Sequence, residues 1–327
     1  MTARLAPGLA LAAVIALAAQ YVAEHYGAPA MLMAVLIGAA FNHLSASPKL
    51  GPGLSFAARD LLRIGVALLG VRLTIGDMAS LGAAPFILIV SGVAFTVIVG
   101  AAIGRLCGLT PAHAVLSAGA VGICGASAAL AIAAALPASK DGERNAALTV
   151  ASVTALSTLA MLIYPLISSA MNFDDRSAGV FIGATIHDVA QVVGAGYTIS
   201  ETAGETATLV KLVRVGCLLP VVIAVGWLFR GERRNSGDAS PTALAPTFMV
   251  AFFVLMAINS AGLISPTVKT AMTMTSQWAL ITAVAALGVR TSMAELTAVG
   301  PSPLVALCLQ TAALAGFILI GLSLAPL

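Results

Sequence analysis

Apolar runs about as long as one membrane-spanning helix, roughly 20 residues, recur along the whole chain between short polar or glycine- and proline-containing connections. The sequence lacks the alternating pattern of about ten residues per strand that is typical of a membrane β-barrel. The pattern therefore predicts an all-α polytopic membrane protein with about 11 transmembrane helices. The predicted spans are residues 5–23, 28–44, 57–74, 79–104, 111–137, 145–170, 177–199, 205–229, 244–263, 267–289 and 294–325.

The composition supports this class and excludes others. Of the 327 residues, 60% are hydrophobic and 9% are charged, whereas a soluble domain has about 25% charged residues. The first apolar run follows Arg4 and ends in Gln20-Tyr21, without the small-residue cleavage site of a signal peptide, so it is predicted to be the first span. The four cysteines form no CxxC motif, which indicates structural thiols. The net charge of +3 does not point to nucleic acid as a partner.

Lysine and arginine residues accumulate at one set of span ends. If the N-terminus is cytoplasmic, nine lie at inner ends and four at outer ends. The inner residues are Arg4, Lys49, Arg59, Arg105, Arg176, Arg230, Arg233, Arg234 and Arg290, and the outer ones are Arg72, Lys140, Arg144 and Lys269. Because basic residues are enriched on the cytoplasmic side of a membrane, we predict a cytoplasmic N-terminus.

Two segments of the chain resemble each other. Residues 67–85, ALLGVRLTIGDMASLGAAP, align without gaps with residues 285–303, AALGVRTSMAELTAVGPSP. The matched positions include two arginines and two acidic residues, Arg72 with Arg290 and Asp77 with Glu295. We expect both arginines to reach the headgroups or to pair with these acidic residues. Seven predicted spans separate the copies, so the chain is predicted to contain inverted repeats around 57–104 and 267–325, a common construction of secondary transporters.

The fifth predicted span contains a glycine-rich stretch, AGAVGICGASAALAIAAAL. One interpretation is a helix-packing face, because small residues permit close helix contact. The other is a discontinuous helix, as in the substrate sites of inverted-repeat transporters. A second half-helix starting near Gly125 would then offer free amides and a positive dipole end to an anion. On this interpretation the predicted substrate-binding residues of the stretch are Gly122, Cys124, Gly125, Ala126 and Ser127.

The seventh predicted span carries ionisable residues near its middle, His187 and Asp188, with Gln191 one turn further on. Ionisable groups at membrane depth are costly and are usually functional. One interpretation is an ion-coupling site for H⁺ or Na⁺, in which Asp188 is the carboxylate and His187 titrates near neutral pH. The alternative is a satisfied buried polar cluster that holds helices together. With the glycines around them, these residues predict a broken-helix core formed by 111–137 and 177–199.

The eighth predicted span contains Lys211 and Arg214, which lie three residues apart and therefore on one helix face. If the span starts near Glu205, both side chains lie one to two turns inside it. Snorkelling to the outer headgroups is one interpretation. The other is that both face a cavity and bind a divalent oxyanion, with arginine supplying a planar fork and lysine a point charge.

Four stretches resemble the YeiH-like family of bacterial inner-membrane proteins, for which a role in sulfate export has been proposed. They are VGICGASAALAIAAALP, IHDVAQVVGAG, KLVRV and the C-terminal AALGV. More distantly, LLGVRLTIGDM followed by a span and the glycine-rich segment is similar to the bile acid/sodium symporter and auxin carrier superfamily. That resemblance implies inverted five-helix repeats, crossing broken helices and elevator-type transport. The chain departs from this pattern at its end. Only one span follows the second repeat copy, so no broken helix follows that copy.

Together these features predict that residues 1–327 form a single membrane transporter domain in the bacterial inner membrane. The expected function is secondary active transport of a small anion, sulfate or a related oxyanion or sulfonate, coupled to H⁺ or Na⁺ by an elevator mechanism. The alternative is a cation/proton antiporter in which Asp188 alternates between ions. The sequence has no P-loop and no nucleophile–base signature, so neither an ATP-driven pump nor an enzyme is expected. Expected partners are the lipid bilayer and the anion, with no cofactor beyond the coupling ion and a homodimer as one possible assembly.

Overall fold

A computed structural model of the protein describes residues 2–26, 30–45, 47–76, 81–137, 139, 141–230, 247–290 and 301–324. Within these ranges the regular secondary structure is entirely helical. In chain order the helices are α1 (Thr2–Tyr26), α2 (Ala30–Ala40), α3 (Gly51–Phe56), α4 (Leu62–Leu69), α5 (Ala83–Leu106), α6 (Pro111–Gly122), α7 (Ala126–Ala135), α8 (Gly142–Ala170), α9 (Asp175–Thr185), α10 (Val189–Ile199), α11 (Glu201–Gly216), α12 (Leu218–Leu228), α13 (Thr247–Ser260), α14 (Pro266–Arg290) and α15 (Pro301–Leu324).

The prediction of a multi-helix membrane protein is confirmed. Six described segments are long and apolar enough to cross a membrane, namely Arg4–Tyr26, Ala83–Leu106, Arg144–Ala170, Glu201–Leu228, Pro266–Arg290 and Ser302–Leu324. A π-helical turn, Ala57–Leu61, joins α3 to α4, so that helical backbone runs from Gly51 to Leu69. The number of membrane crossings, about 11, stays a prediction.

Two predicted helix starts lie four or more residues after the observed ones. The third predicted span begins at residue 57, whereas helical backbone already starts at Gly51, where Pro52 occupies the first turn and needs no amide partner there. The eighth begins at residue 205, whereas α11 starts at Glu201, after Ser200. The Ser200 hydroxyl accepts a hydrogen bond from the Ala203 amide at 3.0 Å, which caps the helix four residues earlier than expected.

Another side-chain cap fixes the start of α9. The Asp174 carboxylate accepts a hydrogen bond from the Ser177 amide at 2.8 Å, which satisfies one of the unpaired donors of a helix start. Hydrogen bonding to Ser177 lowers the pKa of the Asp174 carboxyl group, because the bonds favour its ionised form. Asp174 therefore ends the connection after α8 and sets the position from which α9 enters the bundle.

The described helices pack as two groups. Group A consists of α1–α4, α13 and α14, and group B of α5–α12 and α15. Within group A, α2 and α14 touch at Gly38 and Gly288, where an added Cβ would lie 2.5 Å from the carbonyl oxygen of Ala285 or Val35, respectively. Larger side chains would push these helices apart. The principal described contacts between the groups are those of α10 with α2 and α14, and a cavity lies between the groups at each end of α10.

Candidate functional site

The glycine-rich stretch is a broken helix. Helix α6 ends at Gly122 and α7 begins at Ala126, so the predicted discontinuity is confirmed. Gly125 has φ +63° and ψ −124°, a backbone conformation that residues with a Cβ rarely adopt. The packing interpretation holds six residues earlier, because a Cβ on Gly119 would lie 2.2 Å from Ile132 Cδ1. The two interpretations therefore apply to different glycines of the same stretch.

A second break lies between α9, which ends at Thr185, and α10, which begins at Val189. Asp188 caps α10, since its Oδ1 accepts a hydrogen bond from the Ala190 amide at 3.0 Å. The two breaks touch, because a Cβ built on Gly125 would lie 3.5 Å from the Cβ of His187. Four half-helix ends therefore meet at one crossing.

Lys211 binds both breaks at once. Its side chain is 0% exposed, and its Nζ donates hydrogen bonds to the carbonyl oxygens of Ile123 at 2.7 Å and Ile186 at 2.9 Å. These carbonyls lie where α6 and α9 end, and carbonyls at a helix C-terminus lack intrahelical partners and carry negative partial charge. The ammonium group therefore compensates the C-terminal ends of two half-helices.

Arg214 binds the same ends from one turn further along α11, and it is 1% exposed. Its Nε and Nη2 donate to the carbonyls of Gly122 at 3.1 Å and Val121 at 2.8 Å. Its Nη1 donates to Ile186 at 3.1 Å and Gly183 at 3.3 Å. One guanidinium group thus joins the last turns of α6 and α9.

This geometry changes the interpretation of both cations. Because α11 starts at Glu201, Lys211 lies about 15 Å along the helix at 1.5 Å per residue, too deep for snorkelling from that end. The donors of Lys211 and Arg214 point to backbone carbonyls, and neither residue is among the described residues that line the cavity next to the breaks. From the sequence, Lys211 and Arg214 were predicted to contact the substrate directly. That role stays a prediction, and the position of both side chains away from the cavity does not favour it.

The cavity next to the breaks has a volume of about 320 Å³ and lies between groups A and B; we call it the large cavity. Both second half-helices begin at its wall, α7 with Ala126 and Ser127, and α10 with Asp188, Val189 and Ala190. Group A contributes three arginines, Arg59, Arg63 and Arg290, and α8 contributes Thr154 and Thr158. The N-terminal ends of α7 and α10 therefore open on a basic cavity, while the C-terminal ends of α6 and α9 are bound to Lys211 and Arg214.

Only part of the predicted site lines the large cavity. Ala126, Ser127 and Asp188 do, whereas Gly122, Cys124 and Gly125 lie at the first break behind its wall. His187 is fully buried and its Nε2 lies 3.0 Å from Thr311 Oγ1 on α15. Gln191 is also fully buried, and its Nε2 donates to Thr158 Oγ1 at 3.4 Å. The direct ion-coupling role predicted for His187 and Gln191 therefore stays a prediction.

Sequence reasoning missed Arg59 and Arg63 as site residues. They lie four residues apart, hence on one helix face. Arg59 was assigned to an inner span end because the predicted span starts at residue 57, and no role was predicted for Arg63. Arg63 also contacts Asp60 at 3.8 Å, but both side chains are more than half exposed, and exposed ion pairs are weak. The signal available in the sequence was the spacing of four residues between the two arginines, beside the apolar Leu62, which is buried in the structure.

A small cavity of about 240 Å³ lies between the groups at the other ends of α4 and α10. Arg72, which follows α4, binds Glu201 and also Glu205 at 2.8 Å, both on α11. The predicted acidic partners, Asp77 and Glu295, lie outside the described residues. Helices α4 and α10 run from the large cavity towards the small one, so the ion pairs join groups A and B on the side away from the half-helix N-termini.

The chain matches the family model described as Conserved hypothetical protein 698 over residues 7–307. It is 46% identical over 319 residues to UPF0324 membrane protein TauZ of Paracoccus denitrificans, covering 97% of this chain and 94% of the relative. TauZ of Paracoccus pantotrophus is 46% identical over 322 residues, with 97% and 95% covered. A UPF0324 membrane protein of Caulobacter vibrioides is 37% identical over 314 residues, with 96% and 67% covered. No solved structure matches the chain.

Proposed function

Since the chain belongs to the family described as Conserved hypothetical protein 698, a family of UPF0324 membrane proteins, we propose that it is a secondary active transporter of a small anion. One observation carries the proposal. Two half-helix N-termini and three arginines meet in one cavity between two helix groups. The family places the protein in a membrane, and the cavity supplies the argument for the class of substrate.

The electrostatics of the large cavity favour an anion. An anion that loses water needs several donors at once, and the first turns of α7 and α10 have backbone amides without intrahelical partners. Among them the Ala190 amide is already bonded to Asp188. The arginine side chains add formal charge and planar forks that match oxyanions. Because Lys211 and Arg214 compensate the opposite, carbonyl ends of the crossing, the positive N-terminal ends remain to act on the cavity. Sulfate, the anion expected from the sequence, can accept several such hydrogen bonds at once.

The packing supports an elevator mechanism as part of the proposal. The half-helices belong to group B, and the arginines of the large cavity belong to group A. Sliding group B against group A would move the half-helix N-termini from the large cavity towards the small one, after release of Arg72 from Glu201 and Glu205. Inverted repeats around 57–104 and 267–325 in a single transporter domain would give two such end states by symmetry.

Asp188 supports the coupling to H⁺ or Na⁺ that we include in the proposal, because it places a carboxylate in the wall of an otherwise basic cavity. The same observation favours a second candidate, a cation/proton antiporter in which Asp188 exchanges ions. In that case the arginines would oppose the substrate, since like charges in one cavity repel. This conflict makes the anion transporter the better supported proposal.

We expect sulfate to raise the thermal unfolding temperature of the purified protein in a concentration-dependent manner. A ligand that binds only the folded state stabilises it by about 2.7 kcal/mol at a concentration of 100 times Kd. The measurement is a thermal scan in sulfate, with chloride at equal ionic strength as the control. Protection by Na⁺ or Li⁺ alone, with pH dependence and no response to sulfate, would instead support the antiporter.

The inverted repeats and the proposed orientation in the bacterial inner membrane have their own test. Single cysteines placed beside Arg72 and beside Arg290 in a cysteine-free background are expected to react with an impermeant maleimide from opposite sides. With a cytoplasmic N-terminus, the site beside Arg290 faces the cytoplasm. Cysteines in both positions that react from the same side would remove the inverted-repeat argument.

A further inference from the structure

The large cavity is lined by apolar side chains as well as by donors. Leu62 and Val66 are buried residues of α4, and Leu130, Phe248 and Leu287 are the other large apolar side chains beside Val150 and Val189. They come from both helix groups, so the apolar surface is a property of the whole cavity. A hydrated inorganic ion would gain nothing from this surface, whereas removing carbon atoms from water next to it is favourable.

The polar and apolar positions alternate along the same helices. On the helical segment that ends at Leu69, Arg59 and Arg63 form one row, and Leu62 and Val66 form the neighbouring row. On α7, Ser127 lies in the first turn and Leu130 lies three residues further on, about 4.5 Å along the axis at 1.5 Å per residue. A bound molecule with its charge at the half-helix N-termini would therefore meet apolar side chains within one helical turn.

The size of the cavity points in the same direction. Its volume of about 320 Å³ lies at the lower end of the range of roughly 300–1,000 Å³ that is typical of pockets for organic ligands. Such pockets combine a mainly apolar lining with a few polar groups that fix the orientation. The large cavity is more polar than that, but 11 of the 18 residues that line it are apolar, so it offers both kinds of contact.

We propose that the substrate is an organic anion, an oxyanion head group such as sulfonate or carboxylate on a short saturated carbon chain, rather than inorganic sulfate. The head group lies against the N-termini of α7 and α10 and near the arginines, and the carbon chain packs on Leu62, Val66 and Leu130. This inference rests on the proposed anion transport and narrows its substrate class.

Titration calorimetry of the purified protein with sulfate and with methane-, ethane-, propane- and butanesulfonate tests the inference. Each added methylene is expected to tighten binding by up to about fourfold, which corresponds to ~0.8 kcal/mol per buried CH₂. If sulfate binds as tightly as butanesulfonate and affinity does not depend on chain length, the inference of an organic substrate is wrong, but the proposed anion transport stands. No measurable binding of any of the five anions overturns the proposed function itself.

A matched pair of variants tests whether the ligand's carbon chain packs in the large cavity or whether the protein only has a general preference for apolar solutes. Leu130→Ser changes an exposed leucine of the large cavity, and Leu166→Ser changes an exposed leucine of α8 outside it. Leu130→Ser is expected to flatten the dependence on chain length, and Leu166→Ser to leave it unchanged. If the two variants keep the same steep dependence as wild type, the carbon chain does not pack on this wall.

Discussion

Replacing Arg214 with glutamine is expected to lower the thermal unfolding temperature by on the order of 10 °C. The change removes hydrogen bonds to the carbonyls of Val121, Gly122, Gly183 and Ile186. Glutamine is too short to reach all of them, and a buried acceptor left without a partner costs about 1–3 kcal/mol. Several such losses are a large fraction of a typical total stability of about 5–15 kcal/mol. The measurement is a thermal scan in detergent or nanodiscs.

Two further variants make this prediction specific. Arg214→Lys keeps the charge but loses the fork, so an intermediate unfolding temperature is expected. Arg63→Gln removes an exposed arginine of the large cavity, and exposed ion pairs contribute only about 0–1 kcal/mol, so its unfolding temperature should match that of wild type. An Arg214→Gln protein with wild-type stability and weakened sulfate binding would show instead that Arg214 contacts the substrate directly.

The buried cations explain how the crossing persists in a membrane. Each break exposes carbonyls that lipid cannot satisfy, and unsatisfied backbone groups in hydrocarbon cost several kcal/mol each. Lys211 and Arg214 satisfy five of these carbonyls from one face of α11, which is continuous past the crossing. The spacing of three residues places both side chains on that face. The cations thus act as positioning residues for the crossing, whose other two half-helix ends, the N-termini of α7 and α10, line the large cavity.

The sequence predicted the elements of the site but not their partners. Glycines and ionisable residues at apparent membrane depth correctly indicated both breaks, because each is costly in a continuous lipid-facing helix. The sequence also placed Lys211 and Arg214 on one face. It could not assign their acceptors, because Ile123 lies 88 residues before Lys211 and every residue supplies a carbonyl. A backbone acceptor therefore leaves no side-chain signal in the sequence.

The arginines of the large cavity were missed for a related reason. A positively charged residue near a span end has an ordinary explanation, the enrichment of basic residues on the cytoplasmic side, and Arg59 fitted it. The structure adds that helical backbone begins six residues earlier than predicted, so that Arg59 and Arg63 lie at least two turns inside it and beside a cavity. Their proposed role depends on the half-helices α7 and α10 of group B, which begin at the opposite wall of the cavity. Tertiary packing brings these helices there, and the local sequence around the arginines does not indicate it.

Neutralising Arg59 and Arg63 together is expected to weaken sulfate binding by about 100-fold or more. A hydrogen bond to a charged group contributes about 1.5–3 kcal/mol, and 1.4 kcal/mol corresponds to a factor of ten in affinity. The expected loss is thus at least about tenfold for each Arg→Gln change. Titration calorimetry of Arg59→Gln, Arg63→Gln and the double variant measures it. The loss should shrink with added salt, since the Debye length falls from about 10 Å at 0.1 M to about 3 Å at 1 M.

Arg105→Gln is the matched control. Arg105 is also exposed and predicted to lie at an inner span end, but its guanidinium donates to the Leu109 carbonyl at 2.6 Å and it does not line the large cavity. If the arginines act only through the general field of a basic surface, Arg105→Gln should weaken binding as much as either cavity variant. If they bind the anion against the half-helix N-termini, only Arg59→Gln and Arg63→Gln should do so. Equal losses in all three variants would therefore place the anion away from the crossing.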